Sequence, residues 1–180
     1  MLPTLDLSVA CGHGHTSNYL LAYIGEREIR MSTEENKALA RHVLEEMFNK
    51  GNLDLADEVF APDYVDHDPA MPEDIRGPEG FKEYVTMFRT AFPDVHLEIE
   101  DQVAEGDKVV TRWTGTGTHE GDLMGIAPTG NKVTLPGMEI VRFSGGKLAE
   151  GWEGYDSMVL MEQLGVMPSP AEEEHAQEEA

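Results

Sequence analysis

The sequence has one cysteine, few basic residues and no long apolar run, and each shortage excludes a class of protein. The single cysteine, Cys11, excludes an internal disulfide framework and is typical of a reducing compartment, so we expect a cytoplasmic protein. No unbroken apolar run approaches the ~20 residues that a membrane-spanning helix needs, so we expect no membrane insertion. Lysine and arginine total 13 against 35 acidic residues, and the formal charge of -22 repels phosphate backbones, which argues against nucleic acid as a partner.

The chain of 180 residues divides by composition into three parts. Residues 1–30 show neither strand alternation nor a helical stripe of useful length, and Met31 directly precedes a capping box formed by Ser32 and Glu35. We therefore interpret 1–30 as a disordered leader or a misassigned start, with Met31 as the native start. Residues 31–167 carry the apolar periodicities of one domain. The glutamate-rich tail 168–180 is predicted to be disordered and solvated.

The first half of the domain has the 3.6-residue periodicity of helices. Apolar residues of 40–48 fall on one helical face, and Gly51 follows as a C-terminal cap. A short second helix is predicted over 53–60, and Pro78 opens a third. The intervening segment DYVDHDPAMPEDIRGPEG is rich in proline and glycine, which predicts a loop.

The second half of the domain has the two-residue periodicity of strands. Alternation over 95–100, 108–118 and 132–143 predicts antiparallel strands, and SGGK predicts a hairpin turn into a last strand. Pro136 and Gly137 inside the third of these strands predict a bulge or a sharp bend and hence a strongly curved sheet. The order predicts an α+β fold: three N-terminal helices on a curved, mainly antiparallel sheet, with a short C-terminal helix.

Three carboxylates surround one tryptophan in the segment SGGKLAEGWEGYD. Asp156 has the position of a helix N-cap. Glu150 and Trp152 alternate out of phase with Glu153, so one set faces the interior and the other does not. A buried carboxylate has its charged form disfavoured and suits acid and base catalysis, whereas an exposed one is simply a solvated strand end.

Three segments of the chain resemble one known family: FAPDYVDHDP, GTHEGDLMGIAPTGNKVTLPGMEIVRF and GGKLAEGWEGYDSMVLMEQLGV. From Ser32 to about Val166 the sequence resembles the SnoaL-like polyketide cyclases, or ester cyclases. The resemblance implies the cone-shaped nuclear-transport-factor-2-like fold of ketosteroid isomerase and limonene epoxide hydrolase, with an internal pocket. It also implies an enzyme without metal or cofactor, in which a carboxylate general acid/base closes a ring in a small apolar or aromatic carbonyl or ester substrate. A homodimer or higher homo-oligomer is expected from the same families.

The resemblance carries the catalytic position of the family onto one residue of this chain. Aligned on the GGK turn, the family's catalytic aspartate falls on Glu153, which we predict to be the general acid/base. Two further departures from the family are Gly137, in place of a polar residue, and Glu139, in place of a histidine. If Glu139 and Glu153 both face inward on neighbouring strands, their repulsion raises one pKa.

A further group of residues is predicted to contact substrate: Asp66, His67, Trp113, His119, Met124, Glu139 and Trp152. The first two lie at the mouth of the cone or, alternatively, cap a loop. His119, in GTHEG, orients a carbonyl or is a surface histidine. The two tryptophans are core residues or a ligand platform. The methionine lies in MGIAPTG, a predicted rim loop.

Two other functions stay open from the sequence. A binding or dimerisation module without catalysis is expected if the pocket is filled by its own side chains. A hydrolase, isomerase or dehydratase acting on a ketone or an epoxide would need an Asp/Arg pair in the pocket. Arg112 and Arg142 are predicted to lie on the face opposite the acids.

Overall fold

The computed structural model describes residues 31–167, and these form helices on one face of a single sheet. The elements are α1 (Thr33–Val43) with a π-helical continuation (Leu44–Asn49), α2 (Leu55–Val59), β1 (Phe60–His67), β2 (Ile75–Arg76), α3 (Gly77–Ala91), β3 (His96–Glu105), β4 (Lys108–Thr118), β5 (Lys132–Ser144), β6 (Lys147–Tyr155) and α4 (Ser157–Leu164). The predicted leader 1–30 and tail 168–180 lie outside the described residues, so these boundaries stay predictions.

The six strands lie in the order β2-β1-β6-β5-β4-β3. β1 pairs with β6 in parallel, and every other neighbouring pair in this sheet is antiparallel. The parallel pair brings the segment after α2 beside the last strand, so acids from both halves of the chain meet on one sheet face. The predicted α+β class, with helices packed on a mainly antiparallel sheet, is confirmed.

Local sequence signals place the helix ends as predicted. The Ser32 hydroxyl accepts a hydrogen bond from the Glu35 backbone N–H, and the Glu35 carboxylate accepts one from the Ser32 N–H, which completes the capping box. Gly51 follows the π-helical segment with a φ of 74°, and Asp156 caps α4 by accepting from two backbone N–H groups. No helix within 31–167 is long and apolar enough to cross a membrane.

The predicted loop after α2 is wrong, because the segment contains two strands. Phe60, assigned to the second helix from the sequence, instead begins β1, and Ile75 begins β2. Phe60, Tyr64 and Asp66 are all buried. Pro62 lies where the register between β1 and β6 shifts, which is a position that tolerates a missing backbone donor.

Of the two alternatives predicted at Pro136 and Gly137, a bulge or a sharp bend, the bulge is wrong. β4 and β5 pair without a register shift along their whole contact. The register shifts of the antiparallel pairs lie between Ile99 and Asp101 and opposite the Arg142–Phe143 step. Packing explains why a glycine occupies position 137, because a Cβ atom there would lie 2.4 Å from the ring of Trp113. The glycine therefore makes room for an indole on the concave face.

Candidate active site

A cavity opens between the concave face of the sheet and the helices. Molecules the size of water can occupy about 80 Å³ of it, which is less than the ~300–1,000 Å³ of typical small-molecule sites. Its lining is mostly apolar and aromatic: Leu44, Phe48, Tyr84, Phe88, Phe92, Val95, Leu97, Trp113, Gly115, Thr116, Gly117, Val133, Leu135, Glu153, Tyr155 and Leu160. The pocket implied by the resemblance is therefore present, and its own side chains leave only a small part of it free.

Glu153 is the single carboxylate among the residues that line this cavity. Its neighbours Gly151 and Tyr155 point to the same concave face, whereas Glu150 and Trp152 point to the outer face. Part of the Glu153 surface is accessible, and the residue opens on the cavity. The sequence did not decide which of the two sets faces the interior, and in the structure Glu153 faces the cavity while Glu150 and Trp152 face outward.

Glu139 is the cross-strand partner of Glu153, as β5 and β6 pair in register at these positions. Glu139 is 5% exposed. Burial first, and then the charge of Asp66, raises the pKa of Glu139 to about 8. Burial also raises the pKa of Glu153 well above its usual range, with the charges of Glu139, Asp66 and Asp68 adding to the effect. The raised pKa values mean that the protonated forms of Glu139 and Glu153 are favoured beside the apolar cavity.

Asp68 lies behind the cavity and is held by three donors. The hydroxyl groups of Tyr84 and Tyr155 donate to its Oδ2 at 2.8 and 3.1 Å, and the Ala70 N–H donates to its Oδ1 at 2.8 Å. Both tyrosines line the cavity, so Asp68 fixes the orientation of two polar groups in the wall. Burial raises the pKa of both tyrosines, which keeps their hydroxyl groups protonated.

Asp66 lies on β1 and is 1% exposed. Its Oδ2 accepts a hydrogen bond from the Tyr64 hydroxyl at 2.9 Å. Burial raises the pKa of Asp66 to about 6, with the charge of Asp68 acting in the same direction and the Tyr64 hydrogen bond opposing it. Asp66, Asp68, Glu139 and Glu153 therefore form a cluster of four acids, of which Glu153 reaches the cavity.

The comparison with known families agrees with this geometry. The family model described as SnoaL-like polyketide cyclase matches residues 38–164. The chain belongs to this family. The match spans the helices, the sheet and α4, so it includes the cavity and all four acids.

Individual relatives carry names that describe two reactions. Aklanonic acid methyl ester cyclase DnrD of Streptomyces peucetius is 30% identical over 75% of this chain and 92% of its own length. Nogalonic acid methyl ester cyclase of Streptomyces nogalater is 30% identical over 66% of this chain and 89% of its own length. The crystal structure of AclR from Streptomyces galilaeus, a candidate hydroxylase, is 31% identical, with a TM-score of 0.67 over 77% of this chain and 85% of that chain.

Two residues predicted to contact substrate lie on the outer face of the sheet. His67 and Trp152 are register partners on β1 and β6, and their rings stack with centroids 5.7 Å apart. His67 also lies 3.0 Å from Asp74 and 3.3 Å from Glu150, and these hydrogen bonds, that of Asp74 first, raise its pKa. The structure does not bring either residue to the cavity, whereas Trp113 lines it.

His119 and Met124 lie in the connection between β4 and β5. His119 is fully buried, packs on Phe92, and accepts a hydrogen bond from the Thr129 N–H at its Nδ1. It is therefore not a surface histidine, and it orders the connection next to the cavity without lining it. Met124 is 44% exposed and has a φ of 51°. The structure places it outside the cavity lining.

Sequence reasoning missed Asp68, Tyr84 and Tyr155 as parts of the site. The signal was the spacing of Tyr64, Asp66 and Asp68, which alternate as one face of a strand. Because the segment reads as a loop, that alternation was not used.

No arginine is among the residues that line the cavity. Arg112 pairs with Glu100 and Arg142 with Glu150, on the face opposite the four acids as predicted. The Asp/Arg pair expected for a hydrolase acting through a bound water is thus missing from this lining. Within 31–167, no group of three or more His, Cys, Asp or Glu side chains has the arrangement of a metal site.

Proposed function

We propose that this protein closes a ring within a small polyketide-like ester or ketone by intramolecular aldol addition, with Glu153 as general acid and base. The observation that carries the proposal is one carboxyl group with a raised pKa on the wall of an otherwise apolar cavity. An acid in a cleft whose pKa is shifted by burial and by named charged neighbours is a candidate functional residue. The names of the relatives support the same class of reaction.

The chemistry requires one proton that leaves and returns. The Glu153 carboxylate removes a proton from the carbon flanked by carbonyl groups, and the resulting enolate carbon forms a bond to a ketone carbon of the same molecule. The new alkoxide then takes the proton back from Glu153. Substrate and product are isomers, so no oxidant or reductant is consumed. Burial raises the pKa of the Glu153 carboxyl above its usual range, and a carboxyl of raised pKa is suited to both steps.

The hydrogen bonds of the polar residues in the cavity wall support Glu153 as the proton donor to the alkoxide. Tyr84 and Tyr155 already donate their hydroxyl hydrogens to Asp68, and Thr116 directs its hydroxyl to the His96 carbonyl. The proton on Glu153 is therefore the one we assign to the developing alkoxide. The aromatic lining, with Trp113 lying over Gly137, favours a flat apolar ring system as the substrate.

The test compares wild-type protein with Glu153→Gln and with Glu150→Gln as a matched control on the outer face of the same strand. The substrates are aklanonic acid methyl ester and nogalonic acid methyl ester, taken from the relatives. We expect wild type and the control to convert one of them, and Glu153→Gln to bind it in a thermal-shift assay without conversion. Binding without conversion by wild type would instead identify a ligand-binding module.

We also propose that the protein forms a homodimer through the outer face of its sheet. Four register partners form an apolar row across that face: Val103, Val110, Ile140 and Trp152. The neighbouring rows carry both signs of charge, including the Arg142–Glu150 and Arg112–Glu100 pairs. A second copy related by a two-fold axis offers the same row and the complementary charges. The formal charge of -22 disfavours association through an acidic face.

A further inference from the structure

The two tyrosine hydroxyl groups in the cavity wall share one acceptor atom. Tyr84 on α3 and Tyr155 at the end of β6 both donate to Oδ2 of Asp68, at 2.8 and 3.1 Å. Both tyrosines line the cavity, whereas Asp68 does not. A phenol hydroxyl has one hydrogen to donate and lone pairs that accept. Each tyrosine therefore uses its hydrogen on Asp68, and its lone pairs are what it offers to a ligand.

The surroundings of Asp68 keep these hydrogens in place. Asp68 is 5% exposed, and its other oxygen, Oδ1, accepts a hydrogen bond from the Ala70 N–H at 2.8 Å. All three of these contacts are donors, which suits a carboxylate because a carboxylate can only accept. Hydrogen bonds to a carboxylate are roughly twice as strong as those between neutral groups. A neutral ligand in the cavity therefore does not draw the tyrosine hydrogens away from Asp68.

The two tyrosines lie close to Glu153. Glu153 precedes Tyr155 by two residues on the same face of β6, and both line the cavity together with Tyr84. Burial chiefly raises the pKa of both tyrosines, and the charge of Glu153 adds to the effect, so their hydroxyl groups keep their hydrogens. A ligand held by the tyrosine oxygens therefore lies beside the proposed acid.

We infer that the cavity selects an aromatic or enolic ligand with a free hydroxyl group, which donates its hydrogen to the lone pairs of Tyr84 and Tyr155. Asp68 sets this preference without contacting the ligand, because it holds the hydrogens of both tyrosines, so it is a positioning residue. A ketone or a methyl ether in the same place would set lone pairs against lone pairs and leave the tyrosine oxygens without a donor. The rings of Phe48 and Trp113 in the wall suit the aromatic part of such a ligand.

For the substrate, this preference defines a class of hydroxylated aromatic or enolic carbonyl compounds. The hydroxyl group is held at Tyr84 and Tyr155, and the reacting part of the same molecule lies at Glu153. As a statement about the substrate, the inference rests on the proposed function. The ligand preference itself does not depend on catalysis, so it is measured with probes that cannot react.

Phenol and anisole test the preference on the full chain, by NMR titration. Both have a single ring, which suits the limited free volume of the cavity. Anisole has a methyl group in place of the hydroxyl hydrogen, so it accepts hydrogen bonds but cannot donate one. We expect wild type to bind phenol about tenfold more tightly, the effect of roughly one net hydrogen bond. Equal affinities, tighter binding of anisole, or binding of neither probe would overturn the inference.

Asp68→Asn should remove or reverse the preference. The Ala70 N–H keeps the side-chain oxygen at the Oδ1 position, so the amide nitrogen takes the place of Oδ2 and donates to both tyrosines. Their hydrogens then turn towards the cavity, and anisole should bind at least as tightly as phenol. Tyr155→Phe removes one acceptor and should reduce the preference for phenol to about threefold or less.

Tyr64→Phe is the matched control, since Tyr64 donates to Asp66 and is not among the lining residues. Its ratio of the two Kd values should equal that of wild type. A wild-type ratio in both Asp68→Asn and Tyr155→Phe would overturn the inference, and if Asp68→Asn does not fold, Tyr155→Phe decides. Neither probe can undergo the aldol reaction. A failed aldol assay therefore leaves this measurement intact, and equal binding of the probes leaves the assay of Glu153 intact.

Discussion

Glu139 on β5 and Glu153 on β6 are directly opposite each other, and both point to the concave face of the sheet. Side chains in such a cross-strand pair have Cβ atoms about 4.5–5.5 Å apart, and like charges there are destabilising. The resemblance implies a histidine opposite an aspartate at these two positions. A second acid in place of the histidine raises the pKa of its partner, so the pair in this chain favours the protonated form.

Glu153→Asp should lower kcat by about tenfold to a hundredfold while KM changes little. The variant restores the aspartate of the family but withdraws the carboxyl by one methylene, and a displacement of about 1 Å in a catalytic group costs on the order of a hundredfold. Steady-state kinetics on the converted methyl ester measures both constants. Full activity of Glu153→Asp would show that the carboxyl position is not restricted by this cavity.

Glu139 should make the folded protein less stable as the pH rises. Its pKa is about 8 when folded against an ordinary value of 4.5, so between these values the folded state binds more protons than the unfolded state. Its contribution to the free energy of unfolding is therefore complete below about pH 4.5 and is lost as the pH rises through 8.

Urea unfolding of wild type and Glu139→Gln at intervals from pH 5 to 8 measures this contribution. The stability of wild type relative to the variant should fall steadily over the range. Glu58→Gln, at an exposed position of α2, is the control, and its difference from wild type should stay flat over the same range. A constant difference for Glu139→Gln would contradict the raised pKa.

The helices and most strands followed from the sequence because their signals are local. The capping box at Ser32 and Glu35 and the N-cap at Asp156 involve neighbouring residues only. β1 was missed because its evidence is not local: it exists by parallel pairing with β6, some 80 residues later in the chain, and its inward positions include Tyr64 and Asp66 rather than aliphatic residues. A strand with buried acids has no apolar alternation to detect.

The site was predictable as far as the resemblance reached. Glu153 and Trp113 line the cavity as expected, whereas Glu139 faces Glu153 but, like Asp66, is not among the lining residues. The tyrosines that hold Asp68 come from α3 and from the end of β6, and no spacing in the sequence relates them to β1. Trp152 illustrates the opposite error, since aromatic character alone does not tell which face of a strand a residue occupies.

Ile140→Lys should convert the proposed dimer into a monomer. Ile140 is one of the two inner positions of the apolar row and is 38% exposed, so a lysine there places charge within the interface without entering the core. Size-exclusion chromatography with light scattering gives the mass of each variant. Thr134→Lys, on the same strand and face but away from the row, is the matched control and should leave the mass unchanged. A monomeric wild-type protein would contradict the proposed homodimer.

Gly137→Ala should destabilise the protein by about 1–3 kcal/mol, the usual effect of overpacking a filled core. The added Cβ atom would lie 2.4 Å from the Trp113 ring, so the indole must move away from the strand and into the cavity. Thermal unfolding measures the loss, and the fluorescence of Trp113 should report a changed environment. Combining Gly137→Ala with Trp113→Leu should recover part of the stability, because the smaller side chain leaves space for the methyl group. If the double variant instead loses the sum of both single losses, the glycine and the indole are energetically independent, and the close approach does not explain why β5 has no side chain at this position.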